Sequence, residues 1–457
     1  MEDPRRNLPS VNAILEMDPV KNMIQIHTRP VILEAVQNAL SQLRRDLKPG
    51  DESPDAGSII NIIKSEIDKE ELDRIRPVVN ATGIILHTGL GRAVLADEAA
   101  DALGKMNRCC NLQTDLETGR RGKRNYMTEQ LLCRLTGAEA AMVVNNNAGA
   151  TFLILTALCS GKEVILSRGQ MIEIGGSYRL PDCIRQSGAR LKEVGTTNKT
   201  HLRDYESALN ENTGAILRCN PSNYRIVGFS SMVSTGEIAE LKKKHNFILI
   251  DDLGCGAMVN LEDYGLPHEP TIQESIEAGA DIVCSSGDKL IGGPQAGIIV
   301  GKKELIHRIR KHPLNRMLRV GKLTDSALEA TLRLFLDPES LIQKNPTLRM
   351  IAMPSSEVRK KARRLKRLIL NKTDKIDVSI VEEESAVGGG SLPHASIKTF
   401  ALSISHPEIS PEDLALKLRK NEPPVMTRIK EDRVLIDPRT LLPGEDAIVA
   451  DALGKLL

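Results

Sequence analysis

The sequence predicts an α/β fold with a mostly parallel β-sheet, preceded by a small helical domain and followed by an α+β domain. Over residues 77–330, short apolar runs alternate with helical stretches, which is typical of buried parallel strands covered by helices. Residues 1–76 show helical periodicity, whereas residues 331–457 mix helices and strands. We therefore expect three domains, with boundaries near residues 76 and 330.

The N-terminal domain is expected to contain two amphipathic helices. Apolar residues recur at helical spacing from Val31 to Leu43, and the turn-rich segment 48–57 then interrupts the pattern. A second helix is predicted from about Ser58 to Arg74, ending before Pro77. The domain has eleven Lys and Arg residues against fourteen Asp and Glu residues, so it is net acidic.

The central domain is expected to contain buried strands, because its apolar runs are short and rich in β-branched residues. The predicted strands are residues 141–144, 163–166, 215–217, 247–250, 281–283 and 297–300.

The C-terminal domain is expected to begin with a basic helix and a glycine-rich loop at 387–390. Strands are predicted at 397–404, 425–429 and 433–436. Between them, Ser410 is a plausible N-cap for a helix that has Pro411 at its first position.

Composition excludes several classes of protein. The chain of 457 residues has 62 Lys and Arg against 60 Asp and Glu, and this balance excludes a uniformly basic nucleic-acid coat. With five Phe, five Tyr and no Trp, stacking on bases cannot be the main mode of RNA recognition. Apolar runs fall short of the roughly 18–20 residues of a membrane span, and the eight cysteines lack zinc-site spacing. We expect a cytoplasmic protein with reduced thiols, no metal, and neither a membrane nor a DNA partner.

Two segments of the central domain carry residue types that suit one cofactor chemistry. Lys289 follows an apolar strand and precedes a Gly-Gly turn, where its amine could attack an aldehyde and form a Schiff base. Ser286, three residues earlier, could donate to a phosphate. Asp251 and Asp252 end another buried strand, where a carboxylate could keep a pyridine nitrogen protonated. We prefer Asp251 for that role, although the sequence does not separate the two.

A third segment, residues 143–151, is a strand that runs into a helix of small residues. The free N–H groups of Asn146, Asn147 and Ala148 would suit a cofactor phosphate. Each of the three features also has an ordinary explanation: a solvated lysine, capping aspartates, or close packing of small residues. Their order along the chain, however, is that of a pyridoxal-phosphate enzyme with the aminotransferase-like fold, and we prefer this interpretation.

Seven segments of the chain match one known family: residues 80–93, 143–147, 167–169, 173–177, 193–198, 222–229 and 286–297. On these segments the sequence resembles bacterial selenocysteine synthase, the L-seryl-tRNA(Sec) selenium transferase family, over nearly its whole length. It differs at Gly89, where the family usually has Asn, and at Gly321, where Asp is common. Asn220 lies in a segment where many members have a histidine.

The resemblance implies a pyridoxal-phosphate enzyme of fold type I that converts L-seryl-tRNA(Sec) to L-selenocysteinyl-tRNA(Sec). Lys289 would hold the cofactor, and Asp288 would support the chemistry. Arg92, Arg316 and Arg319 would bind the anionic selenium donor, selenophosphate, which adds to a dehydroalanyl-tRNA intermediate. Residues 1–76 would recognise the tRNA, and the protein would form a ring of dimers.

Basic residues that could contact tRNA are concentrated in three other places. Residues 302–322 and 357–372 each carry a net charge of about +7, and residues 120–124 form a smaller cluster. Two other functions stay open. One is a related pyridoxal-phosphate lyase acting on a small amino acid or amino sugar acid, and the other is a non-catalytic RNA-binding scaffold.

Overall fold

A computed structural model describes residues 4–72 and 75–456. Contacts within the chain divide it into two compact units, Met1–Pro77 and Val78–Leu457.

The first unit is helical, as predicted. Its helices are α1 (Val11–Leu15), α2 (Asp18–Ile26), α3 (Arg29–Asp46) and α4 (Ala56–Leu72). The apolar stripe of α3 packs on α4 and buries Ile32, Val36 and Leu40 against Ile59 and Ile63. The predicted second helix corresponds to α4; its proposed last residues, 73 and 74, lie outside the described residues.

The second unit contains the strands and the remaining helices. The strands are β1 (Val79–Asn80), β2 (Ile84–Leu86), β3 (Ala140–Val144), β4 (Glu163–Ser167), β5 (Glu173–Ile174), β6 (Tyr178–Arg179), β7 (Arg190–Val194), β8 (Thr213–Cys219), β9 (Ile248–Gly254), β10 (Ile282–Ser286), β11 (Gly297–Gly301), β12 (Asp377–Gly388), β13 (Ser391–Ser405), β14 (Val425–Met426), β15 (Arg428–Lys430) and β16 (Arg433–Ile436). The helices are α5 (Asp97–Lys105), α6 (Tyr126–Thr136), α7 (Asn147–Cys159), α8 (Leu180–Gln186), α9 (Leu202–Ala208), α10 (Thr235–Glu240), α11 (Ile272–Glu277), α12 (Lys303–Lys311), α13 (Leu314–Leu318), α14 (Lys322–Leu334), α15 (Pro338–Lys344), α16 (Pro346–Ala352), α17 (Ser355–Leu370), α18 (Pro411–Arg419) and α19 (Glu445–Leu456).

The main sheet has seven strands in the order β3-β11-β10-β9-β8-β4-β7. All neighbours are parallel except at β11, which is antiparallel to β10 and β3. The predicted mostly parallel sheet and its six strands are confirmed. The edge strand β7 was not predicted, because its sequence, Arg-Leu-Lys-Glu-Val, is largely polar.

Helices cover both faces of this sheet. On β3, Met142 and Val144 belong to the core formed with α7 and α12, whereas Ala141 and Val143 belong to the core formed with α6 and α14. This alternation follows from the two-residue repeat of a strand, and it fixes which side chains of each strand face α7.

A second sheet joins the two ends of this unit. Its order is β15-β16-β13-β12-β2, with β2 parallel to β12, and β1 pairs with β14. Residues 79–86 therefore belong structurally with the C-terminal strands, and α14 runs across the boundary that the sequence predicted near residue 330.

Ser410 caps α18 as predicted, accepting a hydrogen bond from the Asp413 N–H at 3.1 Å. Among the described residues, no helix is long and apolar enough to cross a membrane.

Candidate active site

Lys289 lies in the connection between β10 and β11, at the carboxyl edge of the parallel strands. The turn is closed by backbone hydrogen bonds from Gly287 N to Ala296 O and from Gly293 N to Gly287 O. Lys289 is buried, with 6% of its surface exposed, and its side chain lines a cavity of about 300 Å³. A buried lysine on a strand-end turn is held in place rather than solvated, which is the setting that the sequence predicted.

Gly292 allows this turn to form. Its φ is +73°, a conformation that favours glycine, and an added β-carbon would lie 2.5 Å from Asn345 Oδ1. The Asn345 amide in turn donates to Ile291 O at 2.9 Å. The turn that holds Lys289 is therefore fixed by α15, α16 and the asparagine between them.

Of the two aspartates on β9, Asp252 faces the Lys289 cavity and Asp251 does not. Asp252 accepts hydrogen bonds from Asn147 Nδ2 at 2.8 Å and from Thr151 Oγ1 at 2.7 Å, both on α7. Burial raises the pKa of Asp252, and these hydrogen bonds counteract the increase. No cation is paired with Asp252 in the described part of the chain.

Our preference for Asp251 as the cavity carboxylate was therefore wrong. Asp251 points to the opposite face of β9, where it is fully buried. Its Oδ1 accepts from Arg218 Nη1 at 2.8 Å, and its Oδ2 accepts from Thr235 Oγ1 at 2.8 Å. Arg218 is its cross-strand neighbour on β8, so the Asp251 charge is already satisfied within the protein.

The start of α7 forms another wall of the cavity. Asn146 caps the helix by accepting a hydrogen bond from Gly149 N at 2.7 Å, and Asn147 and Ala148 follow in the first turn. Asn146, Asn147, Ala148 and Ser286 all line the cavity. The Asn147 Oδ1 atom is buried without a hydrogen-bond partner, so this wall offers an unused acceptor beside the free N–H groups of the helix.

Arg92 lines the same cavity and forms an ion pair with Asp288, the residue that precedes Lys289 in the sequence. Its Nη1 atom lies 2.6 Å from Asp288 Oδ2. Arg92 has a φ of 64°, which is uncommon for a residue with a β-carbon, and its N–H is fixed by His87 O at 3.0 Å. Arg92, Asp288 and Lys289 all line the same cavity.

The glycine loop that the sequence predicted at 387–390 lies next to Lys289. A β-carbon at Gly390 would stand 3.9 Å from Lys289 Nζ, and Cys255 Sγ donates to Gly390 O at 3.2 Å. This loop connects β12 and β13, so the second sheet supplies part of the site. The sequence showed the loop but gave no indication of its position.

Arg316 and Arg319 line a different cavity, of about 530 Å³, together with Arg124 and Arg310. This cavity shares no lining residue with the Lys289 cavity. A backbone hydrogen bond nevertheless links the segments that form the two cavities. Asn145, just before α7, donates its N–H at 2.8 Å to the oxygen of Leu318, which lies between Arg316 and Arg319. Within one chain, Arg316 and Arg319 therefore do not line the Lys289 cavity, and their expected role in binding the selenium donor stays a prediction.

Several cavity residues were not selected from the sequence as site residues. Asn220 and Ser222 follow β8, Tyr178 lies on β6, and Gln295 precedes β11. A buried glutamate, Glu269, accepts a hydrogen bond from the Asn220 amide at 2.8 Å. Tyr178 adjoins segment 173–177, and Gln295 lies within segment 286–297. Both segments carried the family resemblance, and this was the signal in the sequence that could have identified the two residues.

These residues fit pyridoxal phosphate. Asp252 is a buried carboxylate without a cation, which a protonated pyridine nitrogen would supply. The α7 N-terminus and Ser286 provide donors for a phosphate, and Lys289 provides the amine. The site and the α/β sheet together define an enzyme of the pyridoxal-phosphate fold type I class.

Comparison with known proteins identifies the family. The model of L-seryl-tRNA selenium transferase matches residues 78–442, and that of the selenocysteine synthase N terminal region matches residues 5–44. The L-seryl-tRNA(Sec) selenium transferase of Caldanaerobacter subterraneus subsp. tengcongensis is 45% identical, covering 100% of this chain and 99% of the relative. That of Clostridium botulinum strain Okra is 41% identical, covering 99% and 98%. The chain therefore belongs to the L-seryl-tRNA selenium transferase family.

Among solved structures, D-glucosaminate-6-phosphate ammonia-lyase has a similar fold. The TM-score is 0.58 at 21% identity, over 84% of this chain and 96% of that chain. The predicted fold class is confirmed, and the protein is a pyridoxal-phosphate-dependent transferase, as its family membership implies.

Proposed function

We propose that this protein converts L-seryl-tRNA(Sec) to L-selenocysteinyl-tRNA(Sec), using pyridoxal phosphate held by Lys289 and selenophosphate as the selenium donor. The observation that carries the proposal is a buried lysine in one cavity with a cation-free buried carboxylate, Asp252, in a member of this family. When bound, the cofactor supplies an electron sink for the α-carbon of the seryl group.

The roles of the cavity residues follow from their contacts. Asp252 would pair with the ring nitrogen and keep it protonated, and Asn147 and Thr151 hold the Asp252 carboxylate in one orientation. The N-terminus of α7 and Ser286 bind the phosphate. The Lys289 amine would take the α-proton of the seryl group.

Removal of the α-proton allows the seryl C–O bond to break, and the hydroxyl group would leave as water with the proton that Lys289 had taken. This leaves a dehydroalanyl group on the tRNA. The selenium of selenophosphate would then form a bond to the β-carbon, water would cleave the P–Se bond so that phosphate leaves, and Lys289 would pass a proton from that water to the α-carbon. Arg92 holds the Asp288 carboxylate beside Lys289, so that Asp288 and Lys289 can both act on the leaving hydroxyl group.

Arg316 and Arg319 would bind the anionic donor. Both guanidinium groups are exposed and have no ion pair among the described residues, whereas Arg310 in the same cavity is paired with Glu129 at 3.0 Å. Guanidinium groups suit phosphate-like oxygens because their planar forks can donate two hydrogen bonds. In the homo-oligomer that we propose, a second copy could bring this cavity and a Lys289 cavity together.

The tRNA would contact the helical first unit and the basic helix α17. On α17, several cations already have structural roles: Lys361 donates to Leu441 O at 3.0 Å, and Arg364 pairs with Asp446 at 2.8 Å. Lys360, Arg363 and Arg367 are exposed, follow one helical face, and have no ion pair in the described part of the chain. These three form a stripe that suits an RNA backbone. In the basic segment 302–322, by contrast, Lys302 and Lys322 are already bonded to protein groups.

The variant Lys289→Ala tests this proposal. We expect it to fold, as judged by circular dichroism, but to lose the visible absorbance of lysine-bound cofactor and all selenium transfer to seryl-tRNA(Sec). If the variant still forms selenocysteinyl-tRNA, the proposed role of Lys289 is wrong. A wild-type protein without cofactor absorbance would instead favour a non-catalytic RNA-binding scaffold.

A further inference from the structure

Glu269 is a buried carboxyl group beside the Lys289 site. It lies in the segment between Gly265 and α11, and only 6% of its surface is exposed. Its Oε1 atom accepts a hydrogen bond from Asn220 Nδ2 at 2.8 Å. Asn220 is itself 9% exposed and lines the Lys289 cavity, whereas Glu269 lines a neighbouring cavity of about 490 Å³. The pair therefore lies between the two cavities.

Asn220 is tied to the cofactor face of the sheet by its backbone as well. It directly follows β8, and its N–H donates to Asp252 O at 2.8 Å. The position of its main chain is thus fixed by the same residue that we expect to hold the ring nitrogen. The side-chain amide remains free to present either its oxygen or its nitrogen to the Lys289 cavity, depending on what Glu269 offers it.

Among the described residues, no cation forms a direct ion pair with Glu269. Lys289, Arg218 and His268 favour its ionised form, and Arg225 lines the same cavity of about 490 Å³. His268 lies between two other carboxylates, 3.4 Å from Glu262 and 3.6 Å from Glu274. Two further titratable groups are neutral because burial raises their pKa: that of the Cys255 thiol rises to about 11, and that of Tyr224, which lines the same cavity as Glu269, to about 12.

Burial outweighs these cations at Glu269. It raises the pKa of this carboxyl group to about 7, against the opposing effects of His268, Lys289, Arg218 and the Asn220 hydrogen bond. The group is therefore partly protonated near neutral pH, whereas an ordinary exposed glutamate would be fully ionised.

We propose that Glu269 is a positioning residue that sets which end of the Asn220 amide faces the Lys289 cavity. The ionised carboxylate can only accept, so it holds the Asn220 nitrogen and leaves the amide oxygen toward the cavity. The protonated carboxyl can donate to the Asn220 oxygen, which turns the amide and presents its N–H groups instead. One proton on Glu269 thereby exchanges an acceptor for a donor beside the cofactor.

The proposal predicts a pH-dependent change at the cofactor that comes from Glu269. In the wild-type protein loaded with pyridoxal phosphate, the visible absorbance of lysine-bound cofactor should change across the neutral range. Glu269→Gln removes the ionisable carboxyl but keeps the side-chain shape, and we expect the midpoint of the absorbance change to move by at least about one pH unit. The control Glu262→Gln removes an exposed carboxyl near His268 and should leave the midpoint unchanged.

A second comparison tests whether Glu269 acts through Asn220. The midpoints of Asn220→Ala and of the double variant Asn220→Ala, Glu269→Gln should coincide, because the first substitution removes the amide that Glu269 orients. The proposal would be contradicted if the absorbance midpoint of Glu269→Gln equalled that of the wild type. It would also be contradicted if the midpoint of the double variant differed from that of Asn220→Ala.

A measurement without cofactor separates this proposal from the proposed function. In protein labelled with ¹⁵N-asparagine, the side-chain amide resonance that disappears in Asn220→Ala should move with pH near 7 in the wild type. It should not move in Glu269→Gln. A wild-type resonance that stays constant overturns the role of Glu269, whatever the enzyme does with seryl-tRNA.

Discussion

Arg92 Nη1 lies 2.6 Å from Asp288 Oδ2, so the residue next to Lys289 is held by an arginine almost two hundred positions earlier in the chain. The Asp288 side chain is 9% exposed, and Arg92 is held in a left-handed backbone conformation. This ion pair joins the segment after β2, which belongs to the second sheet, to the lysine turn of the main sheet.

We predict that Arg92→Gln lowers both stability and cofactor affinity. It leaves the buried Asp288 carboxylate without its charged partner, which should cost about 1–3 kcal/mol in the free energy of unfolding. Urea denaturation and titration with pyridoxal phosphate measure the two effects. Arg168→Gln is a matched control, since its ion pair with Glu193 is half exposed on both sides. Equal losses in both variants would show that the Arg92 pair has no special role.

The two aspartates of β9 should respond differently to the same substitution. Asp252→Asn keeps the hydrogen-bonded shape but removes the charge that we expect opposite the ring nitrogen, so activity should fall by more than about 100-fold. Asp251→Asn leaves Arg218 without a carboxylate, which should destabilise the fold by about 3 kcal/mol or more while the cofactor still binds. Activity assays and thermal denaturation distinguish the two. A larger loss of cofactor in Asp251→Asn would contradict the assignment.

This contrast shows where prediction from sequence ends. Apolar runs predicted six strands of the main sheet, because burial on both faces leaves a strong hydrophobic signal. The exposed edge strand β7 and the acidic strand β12 lack that signal. Asp251 and Asp252 are chemically identical neighbours, and only the face of β9 that packs on α7 decides which of them meets the cavity. That face is set by packing between distant segments.

The position of the arginines was beyond prediction for a related reason. Arg316 lies on α13, but this helix ends at Leu318 and Arg319 is extended, with a ψ of 144°. Its backbone forms a bridge with Val144, at the end of β3. Arg316 and Arg319 therefore share one cavity, but within the chain this cavity is separate from that of Lys289.

Arg316→Ala and Arg319→Ala should raise the KM for selenophosphate by about 10-fold or more, because each removes a charge-assisted contact with the donor. The KM for seryl-tRNA and the cofactor absorbance should stay unchanged. Arg308→Ala, an exposed arginine on α12 that does not line the cavity, serves as the control. If Arg308→Ala has the same effect, the cavity is not the donor site.

The cation stripe on α17 should contribute to tRNA affinity through phosphate contacts. In the triple variant Lys360→Gln, Arg363→Gln, Arg367→Gln, the slope of log affinity against log salt should decrease by about two. The control replaces Lys417, Arg419 and Lys420, which are exposed at the end of α18, with glutamine. Deletion of residues 1–76 measures how much the helical unit contributes to the tRNA affinity. An unchanged slope in the α17 variant would assign tRNA binding to other residues.

The central claim is tested most directly by incubating the purified, cofactor-loaded protein with seryl-tRNA(Sec) and selenophosphate, using free L-serine as the alternative substrate. We expect selenocysteinyl-tRNA to form from seryl-tRNA(Sec) in repeated turnovers, and free serine to give no product. Comparable turnover of free serine, or of another small amino acid or amino sugar acid, with no selenium transferred to tRNA would contradict the account and identify the protein as a lyase of the same fold.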